Sequence, residues 1–421
     1  MFKSCVVLLV LSTVVVLEAQ RVDYSGYKVL SVKPKTEADL DLLHKLRNDY
    51  SVDLWNEPRQ TGIPVMTHLK PELVNHVEEA LRKHKIEYDV AFSDLHSAIE
   101  SERIQLAAAT NTSDAAPFNF GIYNQYDSII ALIEGLAAQH PSVAKLSVIG
   151  KSYENRPIYN LKISPGDSSN KPAIMMECGL HAREWSSVAT GAYLVNKLIT
   201  AYGSDPVVTS LVDKYEFNIV VEANPDGYVY TWKQDRLWRK TRSHSSVDWL
   251  GVCRGADANR NFDIDHCGVG TSRKPCDEIY CGDKPFSESE SRALRDLMSA
   301  LKDRMKLYVS IHAFSQFWMT PYGISKMLPP NYDDLIRVGT QGVNALAKRY
   351  GTQYKIGTIA NIIYEAAGSS VDYAYEKFGI KMAYALELRD EGRFGFFLPQ
   401  QLILPTCEET YDGLVAAIQA L

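Results

Sequence analysis

The sequence predicts an α/β fold in two units: a mixed, mostly parallel twisted sheet with helices on both faces, preceded by a small α+β unit. Strand-like apolar runs alternate with helical stretches from Phe118 onward, a pattern that buries a largely parallel sheet between helix layers. Residues 27–92 read strand–helix–strand–strand–helix–strand, the split βαβ order of a small independent domain. At 421 residues the chain is long for one average domain, so two folded units fit its length.

The first element is a leader. Lys3 gives a positive start, Val6 to Leu17 is apolar, and Ala19 is a small residue beside a cleavage point at 19 or 20. Residues 1–20 therefore read as a signal peptide, because the run is shorter than the ~20 residues that span a bilayer. In the small unit, Tyr27 to Val32 reads as a strand and Glu37 to Leu46 has helical apolar spacing. Val52 to Trp55 and Ile63 to Met66 read as short strands around the turn-rich PRQTG. Pro71 opens the helix Glu72 to Lys83, Tyr88 to Phe92 is the last strand, and a charged helix covers Ser93 to Leu106.

Residues 107–117, AAATNTSDAAP, are small, polar and aperiodic, which marks a linker. Asn111 begins a glycosylation sequon there. Residues 21–106 and 118–421 are thus the two units, and Arg103, just before the linker, offers a trypsin-like protease a site. In the large unit, strands are expected at Val143–Ile149, Ile158–Ile163, Ala173–Met176, Glu216–Val221, Leu307–Ile311 and Met382–Leu386. Helices are expected at Tyr126–Gln139, Ser187–Tyr202, Glu288–Lys302 and Tyr332–Tyr350.

Net charge is −6 and no basic block occurs, which excludes a nucleic-acid groove built on clustered Lys and Arg. No later run is long and apolar enough to span a membrane, so a secreted, extracellular protein is expected. Of the six cysteines after Cys5, four crowd between Cys253 and Cys281. In an oxidising compartment such a cluster favours local disulfides over a metal site, and the C-x-x-C spacing of zinc sites is missing. Cys178 and Cys407 stand apart and read as buried thiols.

The chemistry concentrates at strand ends. His181-Ala-Arg-Glu184-Trp follows the apolar run Pro172 to Cys178 and precedes a helix, where open α/β sheets bind ligands. His and Glu supply nitrogen and carboxylate donors suited to zinc, though H-x-x-E alone also describes a surface ion pair. Five histidines follow the linker, and of these His181 and His312 end apolar runs. His312 alone reads equally as a core histidine; the pairing favours a ligand. A catalytic zinc leaves one position open to water, and hydrolysis then needs a base and a cation for the oxyanion. Glu387 ends another apolar run and is the base candidate, against a buried carboxylate paired with Arg389. Arg239, within LWRKTR, is the cation candidate, against a solvated basic face.

HAREW, LWRKTRS, DANRNFD, SIHAFSQ, IYEAAGSSVDY and LELRDEGRFGFFLP occur in this order. Together they resemble the pancreatic and digestive zinc metallocarboxypeptidases over nearly all of residues 118–421. VDLWNEP and its surroundings resemble that family's pro-segment, a ferredoxin-like activation domain. The resemblance implies one Zn2+ per chain, held by His181, Glu184 and His312, with Asp257 orienting a ligand histidine. It implies Arg239 on the scissile carbonyl and Glu387 as general base. Asn259, Arg260 and Tyr364 match residues that hold a terminal carboxylate, and Arg183 a contact further along the substrate. A guanidinium grips a carboxylate bidentately, which explains cleavage restricted to the C-terminus. The same match pairs Cys253 with Cys276, and Cys267 with Cys281.

Val371 matches the position that separates side-chain classes, with Met319, Gly323 and Ile359 as walls. Without an acid the pocket cannot neutralise a buried ammonium, so A-type preference for aliphatic and aromatic residues is expected. Asp372, one residue on, would give the B-type preference for Lys and Arg if it faced the pocket. Ala313, Phe314 and Ser369 depart from the family's common Ser, Tyr and Gly. A non-catalytic secreted protein that grips C-termini is the other alternative; loss of a ligand or base would mark it, and all are present. The expected partners are peptide C-termini and a trypsin-like activating protease, with the chain itself a monomer.

Overall fold

A computed structural model describes residues 21–50, 52–56, 58, 61–110 and 118–421. The leader and the stretch 111–117, with Asn111, lie outside the described residues. In the small domain, β1 (Lys28–Lys33), α1 (Glu37–Tyr50), β2 (Asp53–Leu54), β3 (Val65–Leu69), α2 (Pro71–Lys83) and β4 (Glu87–Phe92) form a sheet of order β2-β3-β1-β4. All of its pairings are antiparallel, as the split βαβ pattern requires. One sheet face, with Leu30, Val32 and Val65, packs on Leu43, Leu46, Val77 and Leu81 of the helices as a separate core. The opposite face, with Val29 and Met66, joins the apolar cluster of the large domain. Alternation along each strand produces this division.

Helix α3 (Leu95–Thr110) runs into the segment read as linker. Its alanines, which carry no periodic signal, are strong helix formers and extend the last turns. Arg103 therefore sits inside a helix, paired with Glu100 at 2.5 Å.

The large domain contains α4 (Tyr126–Gln139), β5 (Ala144–Lys151), β6 (Pro157–Ile163), β7 (Ala173–Cys178), α5 (Trp185–Thr200), α6 (Pro206–Lys214), β8 (Glu216–Val220) and α7 (Pro225–Lys233). There follow α8 (Ser289–Leu301), β9 (Met305–Ala313), β10 (Phe317–Thr320), α9 (Tyr332–Tyr350), β11 (Lys355–Thr358), the single turn α10 (Ile359–Ile362), α11 (Ser370–Phe378), β12 (Met382–Leu388) and α12 (Gln400–Gln419). The sheet order is β11-β10-β12-β9-β7-β8-β6-β5. The central neighbours β8, β7, β9 and β12 run parallel, and β6 and β10 join antiparallel to their inner neighbours. Every residue of β7 and β8 is buried, as expected of strands covered on both faces.

Sequence periodicity misses β10 and β11, four residues each, which are too short to show alternation. It also misses α12, whose interior Pro405 reads as a breaker. There, burial of Ile403, Cys407, Leu414 and Ile418 offsets the lost backbone bond.

Candidate active site

Strand β8 lies on one side of β7 and β9 on the other, so a crevice opens at the carboxyl ends of β7 and β9. His181 leaves β7 through Gly179, whose φ is +72° and whose added Cβ would stand 2.6 Å from Glu222 Oε2. Only glycine makes that turn. Glu184 is the last residue before α5. His312 and Glu387 occupy paired positions of the parallel strands β9 and β12, which turns both side chains to one side of the sheet.

These placements bring the donors together. His181 Nδ1 is 2.8 Å from Glu184 Oε1, and His312 Nδ1 is 2.9 Å from Glu184 Oε2. Ligand atoms of the three buried residues all lie within 4.8 Å of one another. Two imidazole nitrogens and one carboxylate, open on the cavity side, match a catalytic zinc set with a free fourth position. The other grouping, His266 with Cys267 and Cys281, has no thiolate to offer, since its cysteines form a disulfide. Cys253 bonds Cys276, and Cys178 and Cys407 are buried thiols.

Electrostatics follow from the packing. Burial opposes charge on both rings, yet Glu184 pushes His312 up to about 9. In His181, burial and Arg239 prevail and hold the ring below its ordinary value. Burial also disfavours the Glu184 carboxylate, but His181 and His312 hold it well below its usual range. Burial, and then the Glu184 charge, push Glu387 up to about 8.

Orienting groups stand behind each ring. Asp257 Oδ1 lies 3.1 Å from His181 Nε2, while its Oδ2 accepts from Arg239 Nε at 3.1 Å and Nη2 at 2.8 Å. Ser310 Oγ donates its one proton to buried Glu177, so at 2.8 Å it accepts from His312 Nε2–H. That tautomer leaves Nδ1 for a metal. Ser310, Glu177 and, elsewhere, Asn224 are not predicted by the sequence. The serine two residues before His312 on one strand face was the available signal for the first.

Arg260 is buried, with Nη2 on Tyr364 OH at 2.9 Å and Nη1 on Asn259 O at 3.0 Å. Asn259 Oδ1 accepts from Ser370 N at 2.9 Å. Met319, Ile359 and Val371 line the same cavity as Arg239, Asn259, Arg260, Tyr364 and Glu387, as do Ala313, Phe314 and Ser369. Gly323 lies a layer back, its N–H donating to Asp372 Oδ2 at 2.8 Å. Arg183 stands outside the cavity, stacked on Phe396 at 4.5 Å, between Asp53 at 3.7 Å and Glu278 at 3.8 Å.

The small domain closes the cavity. Trp55 and Asn56 line it, and Trp55 packs on Phe396 with ring centroids 5.0 Å apart. About 80 Å³ remains, well below the ~300–1,000 Å³ of an open ligand pocket. Glu102 of α3 forks onto Arg236 at 2.6 and 3.1 Å. Before it, Tyr24 OH donates to Asp235 Oδ1 at 2.7 Å.

Residues 129–413 match the zinc carboxypeptidase family and residues 30–102 the carboxypeptidase activation peptide. Carboxypeptidase A1 of Bos taurus is 37% identical over 417 residues, covering 98% of each chain. Carboxypeptidase B of Rattus norvegicus is 38% identical over 407 residues, covering 96% of this chain and 95% of its own. The crystal structure of carboxypeptidase A from Helicoverpa armigera superposes with a TM-score of 0.86 at 30% identity, covering 94% of this chain and 98% of that one. That of thrombin-activatable fibrinolysis inhibitor gives 0.84 at 32%, covering 93% and 98%. The chain belongs to the zinc carboxypeptidase family, hydrolases of C-terminal peptide bonds, and carries that family's activation peptide.

Proposed function

We propose that the chain is the secreted precursor of an A-type carboxypeptidase, with residues 1–20 as signal, 21–106 as activation domain and 118–421 as the enzyme. The observation that carries the A-type reading is the pair Val371 and Asp372. Val371 lines the cavity together with Met319 and Ile359. Asp372 turns away, accepting from Gly323 N and from Ile324 N, each at 2.8 Å. Burial pushes that carboxyl up to about 7 against those two donors. Relatives of both types are similar to this chain, and the pocket is what separates them.

His181, Glu184 and His312 would hold the ion. Bound there, zinc supplies a Lewis acid for the scissile carbonyl and lowers the pKa of a water. Glu387 takes the proton of the attacking water on a carboxylate oxygen and returns it to the leaving nitrogen. Arg239 spends Nε and Nη2 on Asp257 and turns Nη1 to the Glu184 side, 3.7 Å away. From there it donates to the carbonyl oxygen as charge develops. Arg260, with Asn259 and Tyr364, grips the terminal carboxylate.

Blocked dipeptides ending in Phe or Arg test the preference after trypsin treatment. The Phe substrate is cleaved at least about 100-fold more efficiently, because a buried ammonium finds no counter-charge. Val371→Asp narrows or reverses that ratio. An Arg preference in the unaltered enzyme contradicts the A-type reading.

The uncut chain is silent because Trp55 fills the entrance. Trp55→Ala removes a central aromatic anchor, weakening domain docking by about 2 kcal/mol, a factor of roughly 30. The measurable result is activity of the uncleaved chain on a small dipeptide, rising by a similar factor. No rise would place the closure elsewhere. Cleavage near Arg103 requires α3 to unwind locally, so it is slower than cleavage of an open loop.

A further inference from the structure

The turn that presents His181 and the segment that presents Arg239 come from distant parts of the chain. One buried side chain ties them together. Asn224 is fully buried and caps α7, its Oδ1 accepting from Gly227 N at 3.0 Å. Its Nδ2 donates to Leu180 O at 3.2 Å and to Lys240 O at 3.1 Å. Leu180 immediately precedes His181, and Lys240 immediately follows Arg239. The single amide thus spends both protons on the two strands of backbone that carry a ligand and a guanidinium.

The surroundings leave that amide little freedom. Asn224 N donates to Glu222 Oε1 at 2.8 Å, and the same Glu222 carboxyl fills the space beneath Gly179. A Cβ at Gly227 would stand 2.6 Å from Asn224 Nδ2, 2.7 Å from Lys240 O and 2.8 Å from Ala182 Cβ, so no larger residue fits there. A backbone bond from Ala182 N to Arg239 O at 3.0 Å runs beside the clamp. Asn224 does not line the cavity and touches no substrate.

Helix capping needs only the oxygen, which Ser, Thr or Asp also supplies. Two donors aimed at two carbonyls need a carboxamide. We propose that Asn224 is a positioning residue for hydrolysis, fixing the distance between the His181 ligand and the Arg239 guanidinium. This rests on the roles given to those two residues above. Misplacement by about 1 Å costs on the order of 100-fold in rate, and a clamp between ligand and oxyanion donor guards against such drift.

The test uses the trypsin-cleaved protein with a C-terminal Phe dipeptide. Asn224→Ser keeps a capping oxygen and loses both donors. Its kcat falls by about 100-fold with KM held within about threefold, and zinc content per chain stays unchanged. In an Arg239→Ala background the same substitution adds less than about threefold, because the donor it positions is gone. Asn224→Asp, which keeps the cap and nearly the shape, gives the same pattern and serves if the serine variant folds poorly. A kcat near that of the unaltered enzyme, or losses that multiply fully in the double variant, overturns the clamp. If Arg239→Ala alone keeps full activity, the parent assignment fails instead.

Discussion

Glu387→Gln lowers kcat by about 1,000- to 10,000-fold, the upper range of what a positioned general base contributes. Gln fills the same volume at the end of β12 but cannot accept a proton. KM changes little, because in the proposed reaction Glu387 acts on the water and the leaving nitrogen rather than on the groups that anchor substrate. Zinc content is retained, since His181, Glu184 and His312 are untouched. Steady-state kinetics beside metal analysis separates these readouts. Retained activity would move the base to another residue, and among the described residues lining this cavity Glu184 is the only other carboxylate.

Arg260→Ala reduces kcat/KM by about 100- to 1,000-fold, corresponding to about 3–4 kcal/mol for a charge-assisted carboxylate contact that loses its partner in a buried site. The guanidinium is held from three directions, by Gly270 O, Asn259 O and Tyr364 OH, so its fork is fixed before substrate arrives. Arg260→Lys recovers part of the loss by restoring charge without the bidentate geometry. A C-terminally amidated peptide should be cleaved poorly by the unaltered enzyme and no better by the variant. Equal cleavage of free and amidated ends would contradict the assignment and describe an endopeptidase.

Three of the site candidates read from residue pattern alone share one property, the end of an apolar run, while Asp257, Asn259, Arg260 and Tyr364 came only through the family resemblance. His181, His312 and Glu387 stand where β7, β9 and β12 stop, and a buried strand announces its own end by a switch to polar residues. Glu184 was legible through its closeness to His181. What stayed hidden is long-range. Nothing local says that Ser310 is bonded to Glu177 as well as to His312, or that Asn224 in ANPDG is more than a turn residue. Asp372 illustrates the same limit, since one residue's rotation on α11 decides whether an acid enters the pocket, and only the bonds to Gly323 and Ile324 settle its direction. The reach of α3 into residues 107–110 was hidden for a different reason. An alanine run has no apolar period, yet its propensity carries α3 on to Thr110.

The proposed reaction turns on one metal and three ligands, so zinc-edge X-ray absorption of the cleaved, zinc-loaded protein tests it most directly. The expected result is one zinc per chain with two imidazoles near 2.0–2.1 Å, oxygen donors completing the shell and no sulfur. One imidazole is lost from that spectrum in His312→Ala. A sulfur shell, or two imidazoles undiminished in that variant, would contradict the site.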